Sequence, residues 1–209
     1  MINRKKTLEV TIEEMRNFSF AYIEKYAPSK QQLRTYLLKK YLKAAVPNVK
    51  KQDITNLIDV VLVDLEKTKF ISDKFYSESK SRSLIQRGSS INKIRNYLIG
   101  KGIKDTYIKE TLDKIKEDNS DQDFFSGIKI CKKKRIGPAR TDYNWPLFYK
   151  KDISLLARNG FDFETSKRIM DIDKDEYTKI IKLLWFIFYI FFHHLINSTS
   201  KIVFNKYKN

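Results

Sequence analysis

The residues best suited to chemistry in this chain are its lysines and arginines. Its 209 residues include 42 Lys and Arg against 25 Asp and Glu, which gives a formal charge of +17. Such an excess of cations is typical of a surface that meets polyanions, either nucleic acid or an acidic protein face. Compositional drift in a chain rich in Lys, Ile, Asn and Phe would also give this charge, scattered over every surface. Charge alone therefore does not establish nucleic-acid binding.

The basic residues are concentrated in two stretches of the sequence, 82–104 and 132–135. If they line one concave surface, they would contact phosphates without reading bases, because neither a recognition helix nor an aromatic stacking pattern is evident. Some of them are caps and solvated faces, since helix C-termini favour cations. The candidate residues for binding are Arg82, Arg87, Lys93, Arg95, Lys101, Lys104, Lys132, Lys133, Lys134, Arg135 and Arg158.

Other residue types give no catalytic or metal-binding pattern. His193 and His194 are adjacent, so they cannot share a helix face as metal ligands at i and i+4 do. The run GKGIK lacks the spacing of a phosphate-binding loop, and EDNSDQD lacks the glycine of a calcium loop. Cys131 has no plausible base beside it, which favours a buried structural cysteine. The sequence predicts no enzyme, no cofactor and no metal.

Two features favour a cytoplasmic protein. Cys131 is the only cysteine, which excludes an internal disulfide and fits a reducing compartment. The first residues, MINRKKTLEVTIEEM, carry charge but lack the apolar stretch of a secretory signal.

Helices must position these side chains, because apolar residues recur with a 3.6-residue period almost throughout. Thr11 is predicted to cap the first helix in a capping box with Glu14, and Ser29 to cap the second. Asp53 is predicted to open the third helix, and Ser72 to cap the first helix of a second triplet. With six Gly and four Pro, the composition also disfavours a β fold.

One short sequence motif, which we call the repeated phrase, occurs three times. Leu33–Lys40 reads against Ile94–Lys101, and Leu98–Ile103 reads against Leu156–Phe161, with offsets of about 60 residues. Each copy is predicted to end the middle helix of a triplet, with Gly102 at a position of positive φ. The fold predicted is an elongated all-α array of three tandem three-helix repeats with an extra apolar C-terminal helix. The predicted boundaries are 1–68, 69–118 and 119–172 for the repeats and 173–209 for the tail. The alternative is chance similarity between two helical hairpins.

The stretch FISDKFYSESKSRSLIQRGSSINKIRNYLIGKGI, then YIKETL and later LLARNGF, resembles the regulatory protein RecX family. The matching features are Ile71, Asp73 and Phe75, the turn at Arg87 and Gly88, and the repeated apolar-Leu-x-x-Gly-apolar phrase. The resemblance implies three tandem three-helix repeats. It also implies a non-enzymatic regulator that binds the RecA recombinase, lies in the groove of its filament on DNA, and restrains its activity in DNA repair, recombination and the SOS response.

The resemblance covers approximately residues 20–172 and includes departures from the family pattern. Tyr76 replaces a small residue, Ser72 stands in place of an acidic one, and Asn159 stands where a second basic residue often occurs. The implied partners are the RecA filament and, through phosphates, single- or double-stranded DNA. We expect the protein itself to be a monomer.

A direct DNA-binding helix-turn-helix repressor is the alternative function. It would require a recognition helix whose outward face is rich in Arg, Asn, Gln and Ser. The constant positions of the repeated phrase are instead Leu and Tyr, which serve packing. The alternative is therefore less well supported than the regulator.

The apolar segment 180–196, IIKLLWFIFYIFFHHLI, lies beyond the resemblance. Its unbroken apolar run is about half the length needed to span a bilayer. It is interpreted as a buried terminal helix, a membrane-associating tail or a sequence without a selected role, and the sequence leaves all three open. We expect the rest of the chain to fold without residues 173–209.

Overall fold

The computed structural model describes residues 8–44, 49–141 and 145–186, where the regular structure is helical and includes no strand. The all-α prediction is confirmed. The helices are α1 (Ile12–Tyr26), α2 (Lys30–Lys43), α3 (Lys51–Lys67), α4 (Asp73–Gln86), α5 (Ile91–Gly100), α6 (Asp105–Asp118), α7 (Gln122–Lys134), α8 (Trp145–Arg158) and α9 (Phe163–Met170). Residues 174–186 are also helical. Within the described ranges, no helix has the length and apolar character needed to cross a membrane.

Side-chain caps fix the starts of the first two helices. The Thr11 hydroxyl accepts the backbone N–H of Glu14 at 3.2 Å, as predicted. The reciprocal capping box occurs one helix later, where Ser29 and Gln32 each accept the other's backbone N–H. Glu14 has a different contact, since its carboxylate accepts the hydroxyl of Tyr41 at 3.4 Å.

The predicted start of α4 is confirmed, whereas the predicted start of α3 is wrong. The Ser72 hydroxyl accepts the backbone N–H of Phe75 at 3.2 Å, which confirms the cap of α4. Asp53 does not open α3, which begins at Lys51 and holds Asp53 in its first turn. A carboxylate is equally favourable there, because the whole first turn presents unpaired N–H groups.

The chain divides into two compact units, of which the first holds α1 to α6. Within it, α1, α2 and α3 bury one apolar cluster around Leu33, Leu37 and Ile58, which are fully buried. The helices α4, α5 and α6 bury a second cluster around Ile94 and Leu98. These clusters follow the first two predicted triplets, but the division of the whole chain into three repeats stays a prediction.

The second unit holds residues 87–90, the helices α8 and α9, and nearly all of α7. Its apolar cluster is centred on Ile128, Cys131 and Leu156, all fully buried. The helical segment 174–186 packs against this same cluster through Tyr177, Ile180, Ile181 and Leu184. For residues 174–186 this packing favours the interpretation as a buried terminal helix, while 187–196 lie outside the described residues.

The last two copies of the repeated phrase end their helices in the same way. The Leu98 carbonyl accepts the N–H of Ile103 at 3.2 Å, and the Leu156 carbonyl accepts the N–H of Phe161 at 3.3 Å. Gly102 and Gly160 lie between these residues with φ of 72° and 89°, which glycine tolerates. This pattern confirms the alignment of these two copies.

The first copy ends differently, so the prediction that each copy ends its helix is wrong there. The helix α2 continues to Lys43, and Tyr41 occupies the place of the glycine. A tyrosine side chain disfavours positive φ, and this one is 1% exposed in the first apolar cluster.

Candidate interaction surfaces

Two serines form the same kind of long-range hydrogen bond, one within each unit. The Ser29 hydroxyl before α2 donates to the carbonyl of Lys101, which follows α5, at 2.8 Å. In the second unit, the Ser90 hydroxyl donates to the carbonyl of Asn159, which follows α8, at 2.9 Å. Each acceptor immediately precedes a positive-φ glycine, so each bond satisfies a carbonyl at a helix end. The same junction thus occurs twice at equivalent positions of the repeated phrase.

Asp73 strengthens the first of these junctions. Its Oδ1 accepts the backbone N–H of Lys30 at 2.9 Å, which satisfies another N–H in the first turn of α2. Burial raises the pKa of this carboxyl despite that hydrogen bond, since Asp73 is 8% exposed. Asp73, which carries part of the family resemblance, therefore acts here as a helix cap.

The junction brings α1, α2 and the end of α5 around one groove of about 360 Å³, which we call the tyrosine groove. Its lining residues are Tyr22, Gln31, Gln32, Thr35, Tyr36, Lys39, Gly100 and Lys101. The rings of Tyr22 and Tyr36 stack with centroids 4.1 Å apart and planes 11° apart. Grooves that bind single-stranded nucleic acid combine basic side chains with aromatic rings on which bases stack.

The tyrosine groove contains one of the eleven predicted basic residues, Lys101. Sequence analysis missed Lys39 and found no aromatic stacking pattern, although the structure stacks Tyr22 on Tyr36. The reason is that the two rings come from different helices, so no single periodicity connects them. The Lys101 ammonium also lies 5.2 Å from the ring centroid of Tyr97.

The other candidates in the first unit are Arg82, Lys93, Arg95 and Lys104, all of them exposed. Arg95 pairs loosely with Asp105 across 3.8 Å, and both side chains are more than half exposed. Such a pair contributes little to stability. The structure places these four residues outside the lining of the tyrosine groove.

The remaining candidates belong to the second unit and are also exposed: Arg87, Lys132, Lys133, Lys134, Arg135 and Arg158. Three consecutive lysines form the last turn of α7, where they complement the helix dipole. The Lys132 ammonium lies 4.8 Å from the ring centroid of Trp185. That all eleven residues share one binding surface stays a prediction.

Buried ionic groups serve the scaffold instead. Asp152, which is 1% exposed, accepts the N–H of Gly137 at 2.8 Å and both prongs of the Arg140 guanidinium at 2.7 Å. Burial alone would raise the pKa of the Asp152 carboxyl, but these hydrogen bonds outweigh it and lower the pKa. This ion pair holds the turn after α7 against α8.

Cys131 is fully buried, which confirms that part of its prediction. Burial raises the pKa of its thiol to about 12, so it is uncharged at neutral pH and a poor nucleophile. Within the described residues, no group of three His, Cys, Asp or Glu side chains is arranged to hold a metal ion. The two histidines of the sequence, His193 and His194, lie outside those residues.

Comparison with known proteins gives a relative for most of the chain. No protein-family model matches it, and no solved structure matches it. The regulatory protein RecX of Myxococcus xanthus (strain DK1622) is 25% identical over 170 residues, which span 80% of this chain and 89% of that protein. The chain therefore resembles RecX over most of its length, as the repeated phrase and the stretch from Ile71 to Phe75 predicted.

Proposed function

We propose that this protein is a non-enzymatic regulator that binds RecA nucleoprotein filaments and inhibits their recombinase activity in the bacterial cytoplasm. The observation that carries the proposal is the similarity to a regulatory protein RecX across 80% of the chain. Its place would be DNA repair and recombination, including the SOS response, and it would act without a cofactor.

The tyrosine groove is the part of the first unit that we propose for contact with the filament. Lys39 and Lys101 are two ammonium groups on its lining, while Gln31, Gln32 and Thr35 supply hydrogen-bonding groups. Ammonium groups contact phosphates without regard to sequence, which suits a protein that must act on filaments on any DNA. The other exposed basic residues of the first unit would extend this electrostatic contact.

A pulldown tests the main proposal. The full chain is immobilised and offered RecA assembled on single-stranded DNA, RecA alone, or the same DNA alone. We expect the greatest recovery with the assembled filament. Recovery of bare DNA with no dependence on RecA would contradict the proposal and favour a direct DNA-binding repressor.

Two double variants of equal charge change test the groove. Lys39→Glu with Lys101→Glu should weaken filament binding and reduce the slope of log affinity against log salt by about 1 to 2. Lys51→Glu with Lys116→Glu alters two exposed lysines that do not line the groove and is the matched control. Equal losses from both double variants would assign the effect to net charge and exclude a specific role of the groove.

A further inference from the structure

A second groove in the first unit is apolar and lies between the end of α1 and the start of α4. It encloses about 160 Å³, and we call it the phenylalanine groove. Its lining residues are Ile23, Ala27, Pro28, Phe70, Ile71, Ser72, Phe75, Tyr76, Ser79 and Lys80. Phe75 is 66% exposed and Phe70 is 55% exposed. Large aromatic side chains clustered at the surface commonly mark an interaction site.

The backbone holds both phenylalanines at the surface. Lys69 has φ of 61°, and the next two N–H groups, of Phe70 and Ile71, both return to the Leu65 carbonyl at 2.9 and 3.3 Å. This turn sends Ile71 into the core, where it is 5% exposed, and leaves Phe70 outside. Phe70 also packs edge to face on Phe20, with centroids 5.0 Å apart.

Phe75 is fixed in a similar way by its neighbours on α4. Its N–H donates to the Ser72 hydroxyl, and Asp73 and Tyr76 in the same turn are buried. The Tyr76 hydroxyl lies 3.3 Å from the Tyr97 hydroxyl, and this hydrogen bond holds the Tyr76 side chain in the core. Turning Phe75 inward would therefore expose buried polar groups, and the groove is preorganised rather than collapsed.

Size and charge indicate the occupant. Sites for small organic ligands usually enclose about 300–1,000 Å³, so this groove fits a single large side chain better than a free ligand. Lys80 is the charged residue on its lining, and no carboxylate lines it. The Lys80 ammonium lies 5.6 Å from the ring centroid of Tyr76, which also lines the groove. Glu24 lies on the adjoining turn of α1 but is not part of the lining.

We propose that the phenylalanine groove docks a segment of a partner protein that presents one large apolar side chain flanked by carboxylates. The apolar side chain would lie between Phe70 and Phe75 above Ile71, and a flanking carboxylate would pair with Lys80. This surface is separate in its residues from the tyrosine groove and does not depend on the function proposed above.

The probe is a synthetic peptide, acetyl-Ser-Asp-Asp-Phe-Glu-Glu-Ser-amide, titrated into the ¹⁵N-labelled full chain and followed by NMR. We expect saturable shifts concentrated at the amides of Phe75, Ser79 and Lys80. The same peptide with serine in place of phenylalanine should bind at least about tenfold more weakly, because it lacks the anchor. Equal affinities of the two peptides would overturn the proposal, since charge alone would then account for binding.

Variants of the protein test the same point from the other side. Phe75→Ser should weaken the peptide about tenfold, whereas Val60→Ser, at a valine 53% exposed on α3, should leave it unchanged. Shifts scattered over the basic surface and unaffected by Phe75→Ser would refute the groove as the site. Sedimentation of the free protein tests whether a second copy of this chain occupies the groove instead. A dimer that dissociates in the Phe75→Ser variant would overturn the proposal in favour of that second copy.

Discussion

The hydrogen bond from Ser29 to the Lys101 carbonyl leads to a quantitative prediction about stability. Ser29→Ala removes the cap of α2, which accepts the Gln32 N–H, and also the hydroxyl that donates to the Lys101 carbonyl. Loss of a cap costs about 1 kcal/mol. The lost long-range hydrogen bond adds about 1 kcal/mol, because the Ser29 hydroxyl is fully buried and its removal leaves the Lys101 carbonyl without this donor. We therefore expect unfolding to be easier by about 2 kcal/mol.

Thr11→Ala is the matched control, because its hydroxyl caps α1 and the residue is exposed. It should cost about 1 kcal/mol or less. Urea unfolding followed by far-ultraviolet circular dichroism measures both variants, with the slope of each transition fitted to show that the same surface is exposed. Ser90→Ala repeats the test at the equivalent junction with Asn159.

The result that would refute this reasoning is specific. If Ser29→Ala and Thr11→Ala destabilise the protein equally, the bond to Lys101 contributes nothing. The contact between the start of α2 and the end of α5 would then be a consequence of packing elsewhere.

Four further predictions concern the core, two buried carboxylates and the C-terminal segment. Leu98→Asp should cost several kcal/mol or unfold the first unit, because it buries an unpaired carboxylate. Ile99→Asp should be tolerated, because Ile99 is 53% exposed. Equal melting temperatures of the two variants would contradict the packing described. Asp152→Asn should cost up to about 3–5 kcal/mol at neutral pH, because it leaves the Arg140 guanidinium, which is only 19% exposed, without its carboxylate. The lowered pKa of Asp152 means that its stabilisation is present above the ordinary Asp pKa and is lost as the pH falls through the folded value, so Asp152→Asn should flatten the acid limb of a stability–pH curve. Asp73→Asn should have the opposite effect. The raised pKa of Asp73 means that ionisation of this carboxyl opposes folding as the pH rises. The neutral amide can still accept the Lys30 N–H, so the stability of the variant at neutral pH should be unchanged or higher. Deleting 173–209 should destabilise the second unit, because residues 174–186 pack on its core; an unchanged melting temperature of the truncated chain would show that this packing contributes little.

The sequence by itself determined the helical class and much of the apolar core. Leu37, Leu98 and Leu156 recur in one phrase, and all three are fully buried. Gly102 was identifiable because a helix ending in positive φ requires glycine at a fixed distance from the last apolar position. These features are local, since helix periodicity and capping depend on residues within a few positions of one another.

Only the tertiary structure decided which distant groups meet. Ser29 looked like an ordinary cap, yet its hydroxyl also reaches the Lys101 carbonyl, which lies in another triplet. Tyr22 and Tyr36 stack because α1 packs on α2, and Phe75 is exposed because α4 places Asp73 and Tyr76 toward the core. No residue spacing encodes these relations, because they depend on the angle and separation at which helices pack, and those are set by the summed contacts of the whole core.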